Sequence, residues 1–316
     1  MKHNLQITIL LLGMFLVTQV IGLAVINAYS PRQETIIING TAQNITISPQ
    51  LPYGMQPPPI QPEISIFSII IAFAIAIFVI FLLSKFKAKL FLRLWFFAVV
   101  ILAVGITLSS LFFYFNLPYA SIIAVLIALP LSFYKIFKQN LLVHNITELM
   151  IYPGIAAVFV PILNVWTIII LLIIISAYDI YAVWHSGFMQ KMAKFQINEL
   201  KIFSGFFVPY MGKKQRQQIK LIKQKYKNQK ISSKKIRNKK IKVSLAILGG
   251  GDVVFPIIAA GVFLRTFGIA QALFVTLFAV LALLFLFMAA KKGKFYPAMP
   301  FLTAGIFLGM LFSLLI

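Results

Sequence analysis

The chain has 316 residues, 61% of them hydrophobic and only 11% charged. A soluble domain carries about 25% charged residues, so a large water-soluble domain is excluded and lipid is the solvent for most of this chain. The net charge of +23 is uneven, with 17 of the 29 Lys and Arg lying between Lys191 and Lys242; the absence of cysteine excludes disulfides, thiolate chemistry and cysteine-bound metal.

The apolar residues fall in blocks of about 20, the length a helix needs to cross a bilayer. Nine spans are predicted, at 5–28, 64–84, 90–115, 118–137, 144–162, 164–187, 242–265, 269–290 and 297–316. The first has a basic start at Lys2, and Ile26-Asn27-Ala28 resembles a cleavage site. Its apolar stretch is nevertheless longer than a signal-peptide core, so a retained helix is expected. The connection 29–63 is polar and Pro-rich, with Pro57-Pro58-Pro59 expected to be extended. It carries two glycosylation sequons, Asn39-Gly40-Thr41 and Asn44-Ile45-Thr46, a pattern common by chance. The fifth span is the weakest, because it holds Glu148, Pro153 and Gly154. Pro161 and Asn164 mark a tight turn into the sixth. Residues 202–211, IFSGFFVPYM, are apolar but too short to span, and are expected to lie on the cytoplasmic face.

Every second loop is basic. Lys85, Lys87, Lys89 and Arg93 follow the second span, Lys135 and Lys138 the fourth, the 17-charge loop the sixth, and Lys291, Lys292 and Lys294 the eighth. The alternate loops hold Arg32 and Arg265 and little else. The positive-inside rule then places the amino terminus in the cytoplasm and, with nine spans, the carboxyl terminus outside. In a soluble protein the long basic run would suggest nucleic acid. Here it reads as a cytoplasmic loop beside anionic lipid head groups, and nucleic acid is not an expected partner. The chain divides into an amino-terminal part, 1–143, with four spans and the extracytoplasmic 29–63 loop, and a part 144–316 with five spans and the basic loop 188–241.

Acidic residues are the informative class. There are six, Glu34, Glu63, Glu148, Asp179, Glu199 and Asp252, and both aspartates lie deep in apolar blocks. An ionisable group there is expensive and points to function. Asp179 lies eight residues before the cytoplasmic end of the sixth span and Asp252 ten residues into the seventh. At about 1.5 Å per helical residue, those are depths of roughly 12 and 15 Å, so two antiparallel neighbours would bring the carboxyls to one level. Two such carboxyls share one proton and titrate as a unit, the arrangement used by aspartic proteases. One member takes a proton from water while the other donates to the substrate. Gly249-Gly250-Gly251 precede Asp252, allowing close approach and deformation, and Pro256 weakens the helix beyond it. Taken alone, a glycine triplet means close packing, and one buried Asp means a structural hydrogen bond or an ion path.

Glu148 is expected to be an interfacial or helix-start carboxylate rather than a third catalytic group. His185 is given no role, Arg265 is expected to anchor the outer end of the seventh span, and His3, His144 and His185 are too scattered for a metal site.

Tyr178-Asp179, Gly249-Gly250-Gly251-Asp252 and Pro297-Ala298-Met299-Pro300, in this order and in the sixth, seventh and ninth spans, resemble the YD, GxGD and PAL motifs of the presenilin and signal peptide peptidase family. The resemblance covers about 144–316 well and the first 140 residues by topology alone. It implies an all-α, polytopic, nine-helix membrane fold and an intramembrane aspartyl endopeptidase that needs no cofactor or metal. By resemblance Asp179 and Asp252 are the catalytic pair. Gly249 and Gly251 are the GxGD glycines with Gly250 between them. Pro297, Ala298 and Met299 form the PAL element, with Met299 in place of Leu, and Tyr178 packs with its hydroxyl on a neighbour. The lysine pattern matches presenilin orientation, which implies single-span substrates with the amino terminus outside. The small chain is similar to archaeal homologues, which implies action without partner subunits. Expected partners are transmembrane-helix substrates and lipid; a homo-oligomer is left open. The rival readings are a proton-coupled transporter or cation leak channel using the same aspartates, and an inactive helix-binding scaffold.

Overall fold

A computed structural model describes residues 5–38, 41–47, 49–55, scattered positions between 67 and 82, and 89–138, 140–185, 204–210, 244–290 and 296–315. The helices are α1 (Leu5–Ala28), α2 (Lys89–Tyr114), α3 (Ala120–Phe133), α4 (Leu141–Phe159), α5 (Val165–Trp184), α6 (Gly250–Phe267), α7 (Ile269–Ala289) and α8 (Met299–Ser313). Two antiparallel pairs accompany them: β1 (Arg32–Ile38) with β2 (Thr41–Ile47), and β3 (Gly205–Tyr210) with β4 (Ser244–Gly249).

Seven of these helices, α3 counted with the turn that follows it, are long and apolar enough to cross a membrane, and α8 is a shorter apolar helix. The predicted count of nine is therefore not reached among the described residues. The second predicted span, 64–84, lies largely outside them; those of its positions that are described, such as Phe67 and Phe78, are helical. Most of the basic loop 188–241 and Pro57-Pro58-Pro59 also lie outside the described residues. Within the 29–63 connection, β1 and β2 pair in antiparallel register from Arg32–Ile47 to Ile38–Thr41.

Local sequence explains where helices begin. Asn140 caps α4 by accepting from the backbone N–H groups of Leu142 and Val143 at 2.9 and 3.4 Å. Asn164 and Thr167 form a reciprocal capping box at the start of α5. In lipid, where apolar burial gives no drive for helices to associate, close contact comes from small residues. Gly154 on α4 lies against the Ala103 backbone of α2, where an added Cβ would clash. Gly305 and Gly309, one turn apart on α8, lie against α7, with a Cβ on Gly309 only 2.8 Å from Val275 Cα.

Helix α6 is the centre of the bundle, packed by α1, α4, α5, α7 and α8. Helix α1 is an integral part of that packing. Its Leu11 and Phe15 are fully buried, and Gln19 donates from Nε2 to the Val253 carbonyl at 3.1 Å.

One expectation is overturned at the start of α6. The seventh span was read as helix from 242, but 244–249 is strand and the helix begins at Gly250. Glycine is about 1 kcal/mol less favourable than alanine in a helix interior, so the triplet opposes continuation, and the preceding residues find a pairing partner in β3. That partner lies within the apolar segment 202–211, which is too short to span and forms a strand. Its Phe206 and Val208 are buried at strand period, Phe206 opposite Leu248 and Val208 opposite Ala246.

Lys135 is a further correction. It does not stand in an open basic loop: it lies in a π-helical turn, Tyr134–Lys138, continuing α3, and its side chain is buried in an ion pair with Glu148. Glu148 is accordingly neither exposed nor at a helix start, being 1% exposed within α4.

Candidate active site

Asp179 sits on α5, one turn past Ser176, so both face the same neighbour, α8. The Ser176 and Thr303 hydroxyls are hydrogen-bonded at 2.7 Å. The Met299 N–H donates to Asp179 Oδ2 at 3.0 Å. Met299 is the first residue of α8, whose leading N–H groups have no intrahelical acceptor. The Asp179 carboxyl satisfies one of them and is itself held in place. Asp179 and Met299 are both buried, and Pro297 is buried beside them. Ser176 and Thr303 escaped the sequence reading. Their signal is spacing alone, i,i+3 from Asp179 and i,i+4 from Met299.

Asp252 is the third residue of α6, not ten residues into a helix. The expected match of two helical depths is replaced by another geometry, in which a strand delivers the chain to the first turn of α6. The carboxyl folds back toward the helix cap, where an added Cβ on Gly249 would stand 3.0 Å from Asp252 Oδ2. Gly249 has φ −65° and ψ 146°, which any residue adopts, so the constraint there is space and not backbone conformation.

The three glycines differ. A Cβ on Gly250 would stand 2.5 Å from Ser204 Oγ and 2.8 Å from the Tyr152 hydroxyl, whereas one on Gly251 would meet nothing nearer than Phe255 at 3.8 Å. Gly250, the middle residue of the motif, is thus the most tightly enclosed. Helices α5 and α6 are neighbours, and each also packs against α8.

The Tyr178 side chain, next in the chain to Asp179, is 44% exposed. His185 stacks on Tyr181 at 5.8 Å at the end of α5. Arg265 lies in the last turn of α6. Among the described residues no group of three or more His, Asp or Glu side chains stands together as a metal site.

The geometry places two carboxyls on adjacent elements of a membrane bundle, one in the first turn of α6 and one on α5 against the first N–H of α8. Such a pair can hold one proton between its members and act as a combined acid and base. The family model described as signal-peptide peptidase, presenilin aspartyl protease matches residues 44–316. In overall fold the chain is similar to a presenilin family intramembrane aspartate protease solved in space groups C222 and P2. The C222 structure gives a TM-score of 0.60 at 16% identity, covering 98% of each chain, and the P2 structure 0.58 at 16%, covering 96% of each. No curated protein matches the chain.

Proposed function

The chain belongs to the signal-peptide peptidase and presenilin aspartyl protease family and is an aspartic endopeptidase, and from that premise we propose that Asp179 and Asp252 are its catalytic pair, hydrolysing peptide bonds within the transmembrane helices of single-span membrane proteins. The observation that carries this reading is that neighbouring helices α5 and α6 each carry one aspartate, Asp179 buried against the start of α8 and Asp252 in the first turn of α6.

With one proton on the pair, the ionised carboxylate takes a proton from a water molecule as its oxygen attacks the scissile carbonyl carbon. The protonated carboxyl donates to the developing oxyanion. As the tetrahedral intermediate collapses, the C–N bond breaks, the leaving nitrogen receives the proton held by the pair, and a hydroxyl of the intermediate gives its proton back to the carboxyls as it becomes the new carbonyl, so the pair again shares one proton. The Met299 N–H keeps one Asp179 oxygen fixed, leaving the other for this exchange. Pro297, Ala298 and Met299 stand beside the reacting bond through the same contact. Gly249 keeps the space beside the Asp252 carboxyl free of a side chain.

The lysine distribution supports an amino terminus in the cytoplasm and a carboxyl terminus outside, with the basic loop near anionic head groups. Substrates would then be single-span proteins with the amino terminus outside. The test uses purified protein in detergent with a labelled single-span substrate. Cleavage that disappears in both Asp179→Ala and Asp252→Ala, and that a hydroxyl-containing aspartyl-protease inhibitor blocks, supports the reading. Proton flux without cleavage replaces it with a carrier.

A further inference from the structure

Strand β3 has β4 on one edge and, among the described residues, no strand on the other. Helix α4 closes that second edge with side chains. Asn145 donates from Nδ2 to the Phe207 carbonyl at 2.8 Å and accepts from the Phe207 N–H at Oδ1 at 3.0 Å, presenting the donor and acceptor of a peptide group. Its neighbour His144 is 2.8 Å from the Gly205 carbonyl through Nε2. A carbonyl only accepts, so Nε2 carries the hydrogen and Nδ1 is left as acceptor for Lys135 Nζ at 3.1 Å. Glu148, one turn on, accepts from the Gly205 N–H at 3.3 Å and is paired with Lys135 through its other oxygen. Lys135 therefore fixes both groups that grip Gly205.

The gripped residues have defined partners across the ladder. Phe207 is opposite Ile247, and Gly205 is opposite Gly249, the cap of α6. Asp252 follows three residues later. Pro209 is on the same edge as Gly205 and Phe207 by alternation, so its missing N–H removes no bond to β4. The chain of contacts thus runs without a break from α4, through β3 and the cap, to the first turn of α6.

We propose that Asn145, His144 and Glu148, braced by Lys135, are positioning residues that set where Asp252 stands. The proposal rests on the reading of Asp252 as catalytic. The plainer alternative is that they only satisfy strand groups in a place where lipid offers no hydrogen bonds. A purely satisfying role affects folding, whereas a positioning role affects turnover and the local order of the 244–253 segment in protein that remains folded.

The experiment measures kcat and KM on a labelled single-span substrate, together with backbone hydrogen exchange, in the full chain. Asn145→Leu, close in size but without polar atoms, is expected to lower kcat on the order of ten- to a hundredfold with KM within about twofold. Exchange over 244–253 should quicken while that in α7 stays unchanged. Two neutral pairs guard against a variant that fails to fold. Lys135→Met/Glu148→Gln keeps an acceptor for the Gly205 N–H, and Lys135→Met/Glu148→Leu removes it. The first is expected to recover most of the kcat and exchange protection lost in the second. Folded variants whose 244–253 exchange matches the unaltered protein overturn the proposal, as does a loss confined to KM. An unaltered protein that cleaves nothing removes the proposed function instead, and the exchange measurement still decides whether α4 orders the start of α6.

Discussion

Asp179 and Met299, 120 residues apart in the chain, are joined by a single hydrogen bond in which the first N–H of α8 donates to the carboxylate at 3.0 Å. This bond makes the PAL element and one acid of the proposed pair a single unit. It also separates two substitutions usually treated as equivalent. In Asp179→Asn an amide oxygen still accepts from Met299. In Asp179→Ala the buried donor is orphaned, which costs about 1–3 kcal/mol. Both variants should lose activity by about three orders of magnitude or more, as expected when an acid–base group is removed. Only the alanine variant should lose thermal stability. Equal melting temperatures for the two would show that the bond contributes nothing.

The Ser176–Thr303 bond ties α5 to α8 one turn away from that contact. Ser176→Ala and Thr303→Val each leave one buried hydroxyl unpaired and should destabilise by about 1–3 kcal/mol, whereas the double variant should cost less than the sum of the two. A double-mutant cycle on thermal stability, with kcat followed in parallel, tests this. Strict additivity means that the hydroxyls are not energetically coupled.

The glycine triplet is expected to be unequal. Gly250→Ala puts a methyl against Ser204 and the Tyr152 hydroxyl, and overpacking of this kind costs about 1–3 kcal/mol. Because that methyl pushes at the base of the Asp252 turn, cleavage should fall with it. Gly251→Ala faces open space and gains helix propensity, so its stability should be unchanged or higher by up to about 1 kcal/mol. The reverse order, measured by thermal melting and turnover, would contradict the packing described for the start of α6.

Gly305 brings α8 onto α7, where a Cβ would stand 2.5 Å from Ala282 Cβ and 2.7 Å from the Phe278 carbonyl oxygen. Gly305→Val should therefore push the helices apart, cost about 1–3 kcal/mol or more, and carry Met299 away from Asp179. Reduced melting temperature together with reduced kcat is the expected pair of readings. A stable and fully active Gly305→Val protein would show that α8 holds Met299 without this contact.

Met299→Leu is a volume-conserving change at a buried position whose functional atom is the backbone N–H. Stability should move by less than about 1.5 kcal/mol and cleavage should persist. A large loss of turnover would mean that the Met299 side chain, and not only its N–H, acts at the site.

The residues that told most in the sequence were those whose meaning is local. Two aspartates in apolar blocks are anomalous in lipid wherever their neighbours are. Their neighbours Tyr178, Gly249 to Gly251 and Pro297 to Met299 could be read as motifs from adjacent letters. Ser176, Thr303, Asn145 and His144 carry no such mark, since each is an ordinary polar residue until the chain is folded. Glu148 and Lys135 misled for the same reason. Near a predicted span end each reads as surface, and only their meeting across α3 and α4 makes burial tolerable.

By itself the sequence determined that this is a helical membrane protein, where most of its helices lie, and which two acids stand out. Lipid forces backbone hydrogen bonds to close within each apolar segment, so that information is contained in runs of about 20 residues. The tertiary structure decided that 244–249 is strand, that Asp252 opens a helix, and that Asp179 is held by α8. Each of those depends on a donor, acceptor or pairing edge supplied from far along the chain, which no local window contains.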